Sequence, residues 1–472
     1  MIPVTIFAGR DVAVFGLGLS GIAASHALTT GGARVFAWDD TAAARDKAAA
    51  QGVTLRDLAS ADWTKIAALV LAPGIPLTHP EPHWSVKKAR EAGVEVIGDI
   101  ELFFREKAKQ ESDAKIIIIT GTNGKSTTTV LTAHLLQAGG VPVALGGNIG
   151  RAVLDLPPFT NGLTYVLELS TFQIDLTPSL APNAAALLNI TPDHLDRHGT
   201  LENYAAIKGR VFASLPMDGT AVIGIDDDCC RAIADALSGP FAVKRIAVGH
   251  PVKTGAWAKD GILTEVENGV ERGRLSLDGI GSLRGAHNWQ NAATAYVLAR
   301  SHGLDAATIA RGLGTFAGLA HRMEQVARRG PVLFVNDSKA TNADAAAKAL
   351  ASFTDIYWIL GGRPKSGGLT GLEPFFPKIA RAYLIGEAAD AFAAQLGAEV
   401  DHVQCGTLPR AIEAAAADAR RSQGKEPVVL LSPACASYDQ FDNFEARGQS
   451  FRDVVLRLDG VIPVQPKQGR AA

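Results

Sequence analysis

Residues 116–127 read Ile-Ile-Ile-Ile-Thr-Gly-Thr-Asn-Gly-Lys-Ser-Thr. Four consecutive isoleucines have the pattern of a strand buried on both faces of a parallel sheet. Thr120 to Gly124 then turn the chain into a helix that begins near Lys125 and ends around Gly139 and Gly140. In such a turn backbone N–H groups face inward, glycine permits close approach, and the helix N-terminus adds positive potential. Gly121, Thr122, Asn123, Gly124, Lys125, Ser126 and Thr127 are therefore expected to hold the phosphates of ATP, with Lys125 on the β/γ-phosphates and the Ser126 hydroxyl on magnesium. The full pattern has another glycine where Ile119 stands, so the loop is a shortened variant. A glycine turn that merely caps a helix is the bland alternative, but Gly-Lys-Ser-Thr directly after a buried strand is specific.

Outward from this loop, strand-sized apolar runs alternate with Ala-rich helical segments, the pattern of α/β domains with parallel sheets. Val12–Phe15, Val35–Trp38, Val166–Leu169, Val332–Val335 and Val428–Leu431 are such runs. A chain of 472 residues predicts about three domains. The charged stretch Arg105–Asp113 marks a first linker, and a second boundary falls near Gly318, giving domains at 1–112, 113–318 and 319–472. Between Thr254 and Leu283 short Gly-rich alternating segments predict an antiparallel patch on the middle domain. The tail from Gly460 to Ala472 lacks periodicity and reads as frayed.

A net charge of -2 gives no broad basic field for nucleic acid or an anionic membrane, so any bound anion must be held locally. The four cysteines, Cys229, Cys230, Cys405 and Cys435, form no CxxC pair, so neither a disulfide scaffold nor a zinc ribbon is indicated and the expected compartment is reducing. With no signal-peptide pattern at the start and no apolar run near the ~20 residues a membrane helix needs, the chain reads as cytoplasmic.

A metal-phosphate site needs carboxylates. Glu168 closes the next strand-like run at the end where parallel sheets bind ligands, although alone it equally suits a solvent-facing strand residue. Asn189 to His198 concentrates acids and imidazoles in a loop; His194 and His198 have zinc-helix spacing, but Pro192 and Gly199 bracket them and the HExxH glutamate is missing, so zinc is discounted. Near the N-terminus, Gly16-Leu17-Gly18-Leu19-Ser20-Gly21 follows a strand, opens a helix and precedes Asp39-Asp40, which by itself is an NAD fingerprint.

Taken together, eight ordered segments resemble the Mur ligases. They are residues 121–126, Gly-Gly-Asn-Ile-Gly at 146–150, Glu-Leu-Ser-Thr-Phe-Gln at 168–173 and Asp-His-Leu-Asp-Arg-His at 193–198. They continue with His287-Asn288 and Asn291, His321-Arg322, residues 336–342 and Ser-Pro-Ala-Cys-Ala-Ser-Tyr-Asp-Gln-Phe at 432–441. The match spans all three expected domains. It implies a Rossmann-like first domain, a central P-loop-type ATPase domain with a parallel sheet, and a Rossmann-like third domain. It further implies a monomeric enzyme with ATP and two magnesium ions, joining D-glutamate to UDP-N-acetylmuramoyl-L-alanine through an acyl phosphate.

By that resemblance Ser126 and Glu168 hold one magnesium and His194 the second. Lys208 matches the family lysine that is carbamylated, which first requires a neutral amine such as burial favours; without the resemblance it reads as an exposed helix residue. Asn148 would contact the phosphate or acyl-phosphate region, though a turn-forming asparagine is a serious alternative. Asn291, Arg322 and Asp337 would contact ATP. The first-domain glycine turn is redirected from NAD to the uridine diphosphate, with Gly18, Leu19 and Ser20 beside the diphosphate, Asp39 near uracil or ribose, and Pro73 and Gly74 on the adjoining loop; Asp40 and Thr41 share in this reading. Thr341, Lys365, Ser437 and Phe444 would bind D-glutamate, with Tyr438 contributing a backbone contact. An NAD-linked oxidoreductase, a regulatory ATP-binding module and folylpolyglutamate synthase are the competing readings.

Overall fold

The computed structural model describes residues 1–365 and 367–464. The chain forms two compact units, one of residues 1–276 and 290–312, the other of residues 277–289 and those from 313 onward. Both are mixed α/β with mostly parallel sheets.

The first unit carries two sheets. One joins β1 (Asp11–Phe15), β2 (Arg34–Trp38), β3 (Ile66–Leu71) and β4 (Glu95–Ile97), all parallel, in the order β2-β1-β3-β4. The other comprises β5 (Lys115–Thr120), β6 (Val143–Gly147), β7 (Thr164–Glu168), β8 (Ala184–Leu187), β9 (Thr220–Gly224), β10 (Ala242–Val248), β11 (Gly255–Lys259), β12 (Ile262–Glu267) and β13 (Val270–Ser276). Its order is β13-β12-β11-β10-β9-β8-β5-β7-β6, parallel from β6 to β11 and antiparallel among β11, β12 and β13, so the antiparallel patch lies where the Gly-rich segments predict it.

The isoleucine strand β5 lies between β7 and β8, and its four isoleucines are at most 1% exposed. Burial of each such side chain contributes about 1.5–3 kcal/mol, which explains an unbroken apolar run in place of alternation. From β5 the chain reaches β6 and returns through β7, then crosses to β8 on the opposite side of β5. Parallel sheets bind ligands beyond their carboxyl ends at such a reversal.

The expected linker at Arg105–Asp113 is corrected by the structure. The helix Asp99–Lys109 runs through most of it, leaving only a short connection before β5. Glu106 is fully buried; it accepts hydrogen bonds from the backbone of Thr5 (2.7 Å) and Ile6 (3.2 Å), the Thr5 hydroxyl (2.9 Å) and Gln110 (2.8 Å). The run is charged because one face of the helix meets water, while Glu106 turns inward to satisfy the donors of the N-terminal segment. A single apolar cluster continues from Val12 and Val14 through Phe103 to Ile116 and Tyr165, so both sheets of this unit share a core.

The second unit contains β14 (Glu324–Arg329), β15 (Val332–Asn336), β16 (Ile356–Gly361), β17 (Ile379–Ile385), β18 (His402–Gly406), β19 (Val428–Leu431) and β20 (Ile462–Pro463), ordered β18-β17-β16-β19-β15-β14-β20. β14 is antiparallel to β15 and β20, and the other pairings are parallel. The first part of the tail is thus not frayed: Ile462 and Pro463 pair with Arg328 and Ala327, covering the open edge of β14. Residues 465–472 lie outside the described residues. No described helix is long and apolar enough to cross a membrane.

Replacing Glu106 with alanine strands the Thr5 and Ile6 donors. We expect Glu106→Ala to destabilise the fold by about 2 kcal/mol, read as a lower urea midpoint at unchanged slope; an unshifted midpoint would show that the N-terminal segment is anchored by other contacts.

Candidate active site

The turn after β5 is held by two close approaches. Gly121 has φ +152° and Gly124 φ +84°; an added Cβ would stand 2.9 Å from Leu188 Cβ at the first and 2.3 Å from Asn291 Oδ1 at the second. Only glycine fits either position without displacement. Asn189 completes the brace, its carbonyl accepting from Thr122 N and its side-chain oxygen from Asn123 N, both at 2.9 Å. The sequence reading quoted Asn189 within a motif without giving it this role. Those two amides are engaged within the turn, and the helix Lys125–Ala138 begins directly after it, with the positive end of its dipole at the turn. Ser126 is buried there, and Thr127 follows it. Asn291, from the helix Ala286–Ser301, accepts from the Thr128 hydroxyl at 3.1 Å, so it braces the same helix start.

Lys125 Nζ folds back onto the carbonyls of Gly121 (3.0 Å) and Thr122 (2.9 Å). Lys208 Nζ reaches the same Gly121 carbonyl at 3.0 Å. Lys208 is 1% exposed, not a surface residue, and burial first, then the charge of Lys125, push its amine down to about 7. Its nitrogen lies 4.6 Å from the centre of the Tyr204 ring.

Glu168, the last residue of β7, is buried; Oε1 accepts from Asn148 Nδ2 at 2.8 Å, while Oε2 has no hydrogen-bond partner. The Asn148 backbone also donates to the Glu168 carbonyl at 2.8 Å, so Asn148 serves as the turn residue and as a carboxylate orienter. A buried carboxylate oxygen without a donor is costly unless a cation takes it. One hydroxyl and one carboxylate form the oxygen donor set that suits magnesium, which takes further oxygens from phosphate and water. Among the described residues no group of three or more His, Cys, Asp or Glu side chains could hold a metal. His194 is half-exposed at φ +52°, beside Asp193 at 3.6 Å. His198 is buried, and burial pushes its ring down to about 4, so it is neutral near pH 7.

In the first sheet's glycine turn, Gly18 and Leu19 are exposed and Ser20 half-buried at the start of the helix Leu19–Thr30. Asp39 is already engaged: it accepts from Leu17 N (2.8 Å), Thr41 N (2.9 Å) and the Thr41 hydroxyl (2.8 Å). Burial raises its carboxyl, but these hydrogen bonds outweigh that and hold it below the usual range. Asp40 instead meets His83 (3.0 Å) and Trp84 (3.1 Å). Pro73 and Gly74 lie on the adjoining loop, and Gly74 accepts from Arg197 at 2.9 Å, which brings this loop to the 193–198 segment.

In the second unit, the turns after the adjacent strands β15, β16 and β19 gather the remaining candidates at one sheet edge. Asp337 is buried with both oxygens engaged, by Ser432 (2.9 Å) and Met323 N (3.2 Å), and burial pushes its carboxyl up to about 7. Arg322 and Thr341 are half-buried, Lys365 and Tyr438 exposed, and Ser437 buried. Lys339 Nζ lies 3.8 Å from the centre of the Phe444 ring. Arg447, missed in the sequence, is 1% exposed; it donates to the Ser338 hydroxyl and carbonyl and to the carbonyls of Cys435 and Ala436, locking two of these turns together. Its only advance signal is an arginine one turn after Phe444.

Residues 119–299 match the profile of the Mur ligase middle domain, and residues 321–435 that of the Mur ligase glutamate ligase domain. The UDP-N-acetylmuramoylalanine--D-glutamate ligase of Bradyrhizobium diazoefficiens is 56% identical over 465 residues, 98% of this chain and all of the relative. The protein of that name from Brucella abortus is 56% identical over 475 residues, 98% of this chain and 99% of the relative. Among solved structures, UDP-N-acetylmuramate-alanine ligase from Thermotoga maritima superposes with a TM-score of 0.57 at 18% identity, covering 94% of this chain and 98% of that one. A pseudomurein peptide ligase type C from Methanothermus fervidus gives 0.54 at 16% identity, covering 95% and 99%. At such identities these two show a shared fold.

An amine at about 7 is half neutral at pH 7, against roughly one in a few thousand for an ordinary lysine. We expect acetic anhydride, whose carbonyl carbon a neutral amine attacks with loss of acetate and a proton, to acetylate Lys208 ahead of the other lysines at pH 7, with labelling falling as pH drops below 7. Peptide mass spectrometry would read it, and labelling of Lys208 no faster than that of exposed lysines would contradict the assignment.

Proposed function

The chain belongs to the Mur ligase family, and from that premise we propose that it joins D-glutamate to UDP-N-acetylmuramoyl-L-alanine at the expense of ATP, a step of peptidoglycan precursor synthesis. Full-length identity of 56% to proteins named for that reaction is the observation that carries the reading. We divide the chain functionally at 112/113 and 318/319, into a Rossmann-like UDP-substrate domain, a P-loop-type ATP domain and a Rossmann-like amino-acid domain. The placement of β4 before β5 and of β13 before β14, each pair in different sheets, supports this division.

The γ-phosphoryl group of ATP passes to the terminal carboxylate of the UDP-linked substrate. The D-glutamate nitrogen then attacks the acyl carbon, a C–N bond forms, phosphate leaves and the nitrogen loses its proton. Such a transfer needs charge stabilisation and alignment more than a protein nucleophile. Lys125 would leave the loop carbonyls for the β/γ-phosphates, and the helix-start amides would line the same anion. Asn291, Arg322 and Asp337 would position the nucleotide, Asp337 chiefly by ordering the turn that carries it. Ser126 and Glu168 would hold one magnesium and His194, with carbamylated Lys208, a second. When bound, magnesium neutralises phosphate charge. The orphan Glu168 oxygen supports the first of these sites. For Lys208, a neutral amine that attacks carbon dioxide forms an N–C bond and sheds one proton, turning a hydrogen-bond donor into an anionic oxygen ligand.

Gly18, Leu19, Ser20, Pro73 and Gly74 would line the uridine diphosphate, with Asp39 holding the turn. Thr341, Lys365, Ser437, Tyr438 and Phe444 would receive D-glutamate, Lys365 pairing with a carboxylate. Both substrates are handled by one chain acting as a monomer, in the cytoplasm where ATP and uridine nucleotides are available.

Phosphate release with UDP-N-acetylmuramoyl-L-alanine and a panel of D- and L-amino acids tests the reading: D-glutamate should be the strongly preferred acceptor, and equal rates across the panel would overturn it. Lys125→Ala should lower kcat by about a hundredfold or more with a smaller change in KM for ATP; near-normal turnover would remove Lys125 from phosphoryl transfer.

A further inference from the structure

A guanidinium and a buried amine bracket a column of rings beside the candidate metal site. The Arg197 guanidinium sits 4.7 Å from the centre of the Phe172 ring; Phe172 stacks on His198 at 5.0 Å and 13°; His198 meets Tyr204 at 5.4 Å; and Lys208 Nζ lies 4.6 Å from the Tyr204 ring centre. His194 packs edge-on against the same Phe172 at 5.1 Å. At the centre, His198 is 3% exposed and shares a 2.9 Å hydrogen bond between Nε2 and the hydroxyl of Thr171, itself 2% exposed. The His198 carbonyl also accepts from Asn203 at 2.9 Å, at the start of the helix Leu201–Gly209 that carries Tyr204 and Lys208.

Thr171 stands three residues after Glu168, and Ser170 between them caps the short helix that Thr171 opens. His198 lies four residues after His194. The Thr171–His198 bond is therefore a cross-link between the segment that presents the Glu168 carboxylate and the segment that presents His194, and the ring stack continues it to Lys208. We propose that His198 is a positioning residue that fixes Glu168, His194 and Lys208 in one arrangement through its bond to Thr171. This rests on the metal-dependent ligase reading above. The flat ring fits the stack on Phe172, and the polar edge, which carries the cross-link, meets the buried hydroxyl. Partners at this remove from a metal tune its affinity and the activity by about tenfold or more.

The test uses the full-length protein, with Mn2+ affinity in the ADP complex read by electron paramagnetic resonance beside kcat and KM. His198→Phe keeps a ring and loses the bond; His198→Gln keeps a polar group near the Nε2 position; Thr171→Val removes the partner hydroxyl at nearly constant volume, and Thr171→Ser retains it. We expect His198→Phe and Thr171→Val each to weaken Mn2+ binding and lower kcat by about tenfold, with KM for ATP within about twofold. His198→Gln and Thr171→Ser should stay within about threefold of wild type, and the double variant should be no worse than either single one. Wild-type Mn2+ affinity and kcat in both His198→Phe and Thr171→Val, or losses that multiply in the double variant, would overturn the proposal. Should His198→Phe fail to fold, the valine and serine variants at Thr171 decide between the same outcomes. Absence of Mn2+ binding by the wild-type ADP complex would instead bring down the metal-dependent reading on which this inference stands.

Discussion

The carbonyl oxygen of Gly121 accepts from two lysines, Lys125 and Lys208, each at 3.0 Å. That shared acceptor depends on the turn around it. Gly121 and Gly124 bring the backbone against Leu188 and Asn291 closer than any side chain permits, and Asn189 ties the turn to the end of β8. Because the turn is pinned on both sides, its carbonyl is a fixed point and the two amines converge on it. Burial and the proximity of Lys125 then favour the neutral form of Lys208. The fold-back of Lys125 and the lowered pKa of Lys208 thus arise from one backbone conformation.

The second determinant is the order of strands. With β5 between β7 and β8, the turn after β5, Glu168 and the Asn189–His198 segment all emerge at the carboxyl edge of adjacent strands. Segments 87 residues apart therefore meet in hydrogen-bonding distance, as Lys208 and Gly121 do. The second unit repeats the device, gathering the turns after β15, β16 and β19 and binding two of them through the buried Arg447.

Much of this was legible in the residues. Each apolar run read as a strand is one, and the Gly-rich stretch after Thr254 is the antiparallel patch, because burial on two faces or one leaves its period in the sequence. The N-terminal glycine pattern was legible as a strand, turn and helix: glycine spacing records a close backbone approach and is silent on which ligand would occupy it. The charged run at 105–113 misled for a related reason, since composition averages over a helix and conceals the one carboxylate, Glu106, that faces inward.

By itself the sequence determined the strand, turn and helix around Gly121–Ser126, the parallel α/β class and the set of polar residues from which a ligase site can be assembled. These are local matters, encoded in spacing and in the backbone conformations glycine alone adopts. Only the tertiary structure decided that Lys208 is buried, that one Glu168 oxygen has no donor, that Asp39 and Asp337 are occupied within the protein, and that His198 joins the two segments flanking the site. Burial, desolvation and hydrogen-bond partnership depend on neighbours brought together by sheet topology, and no periodicity along the chain records them.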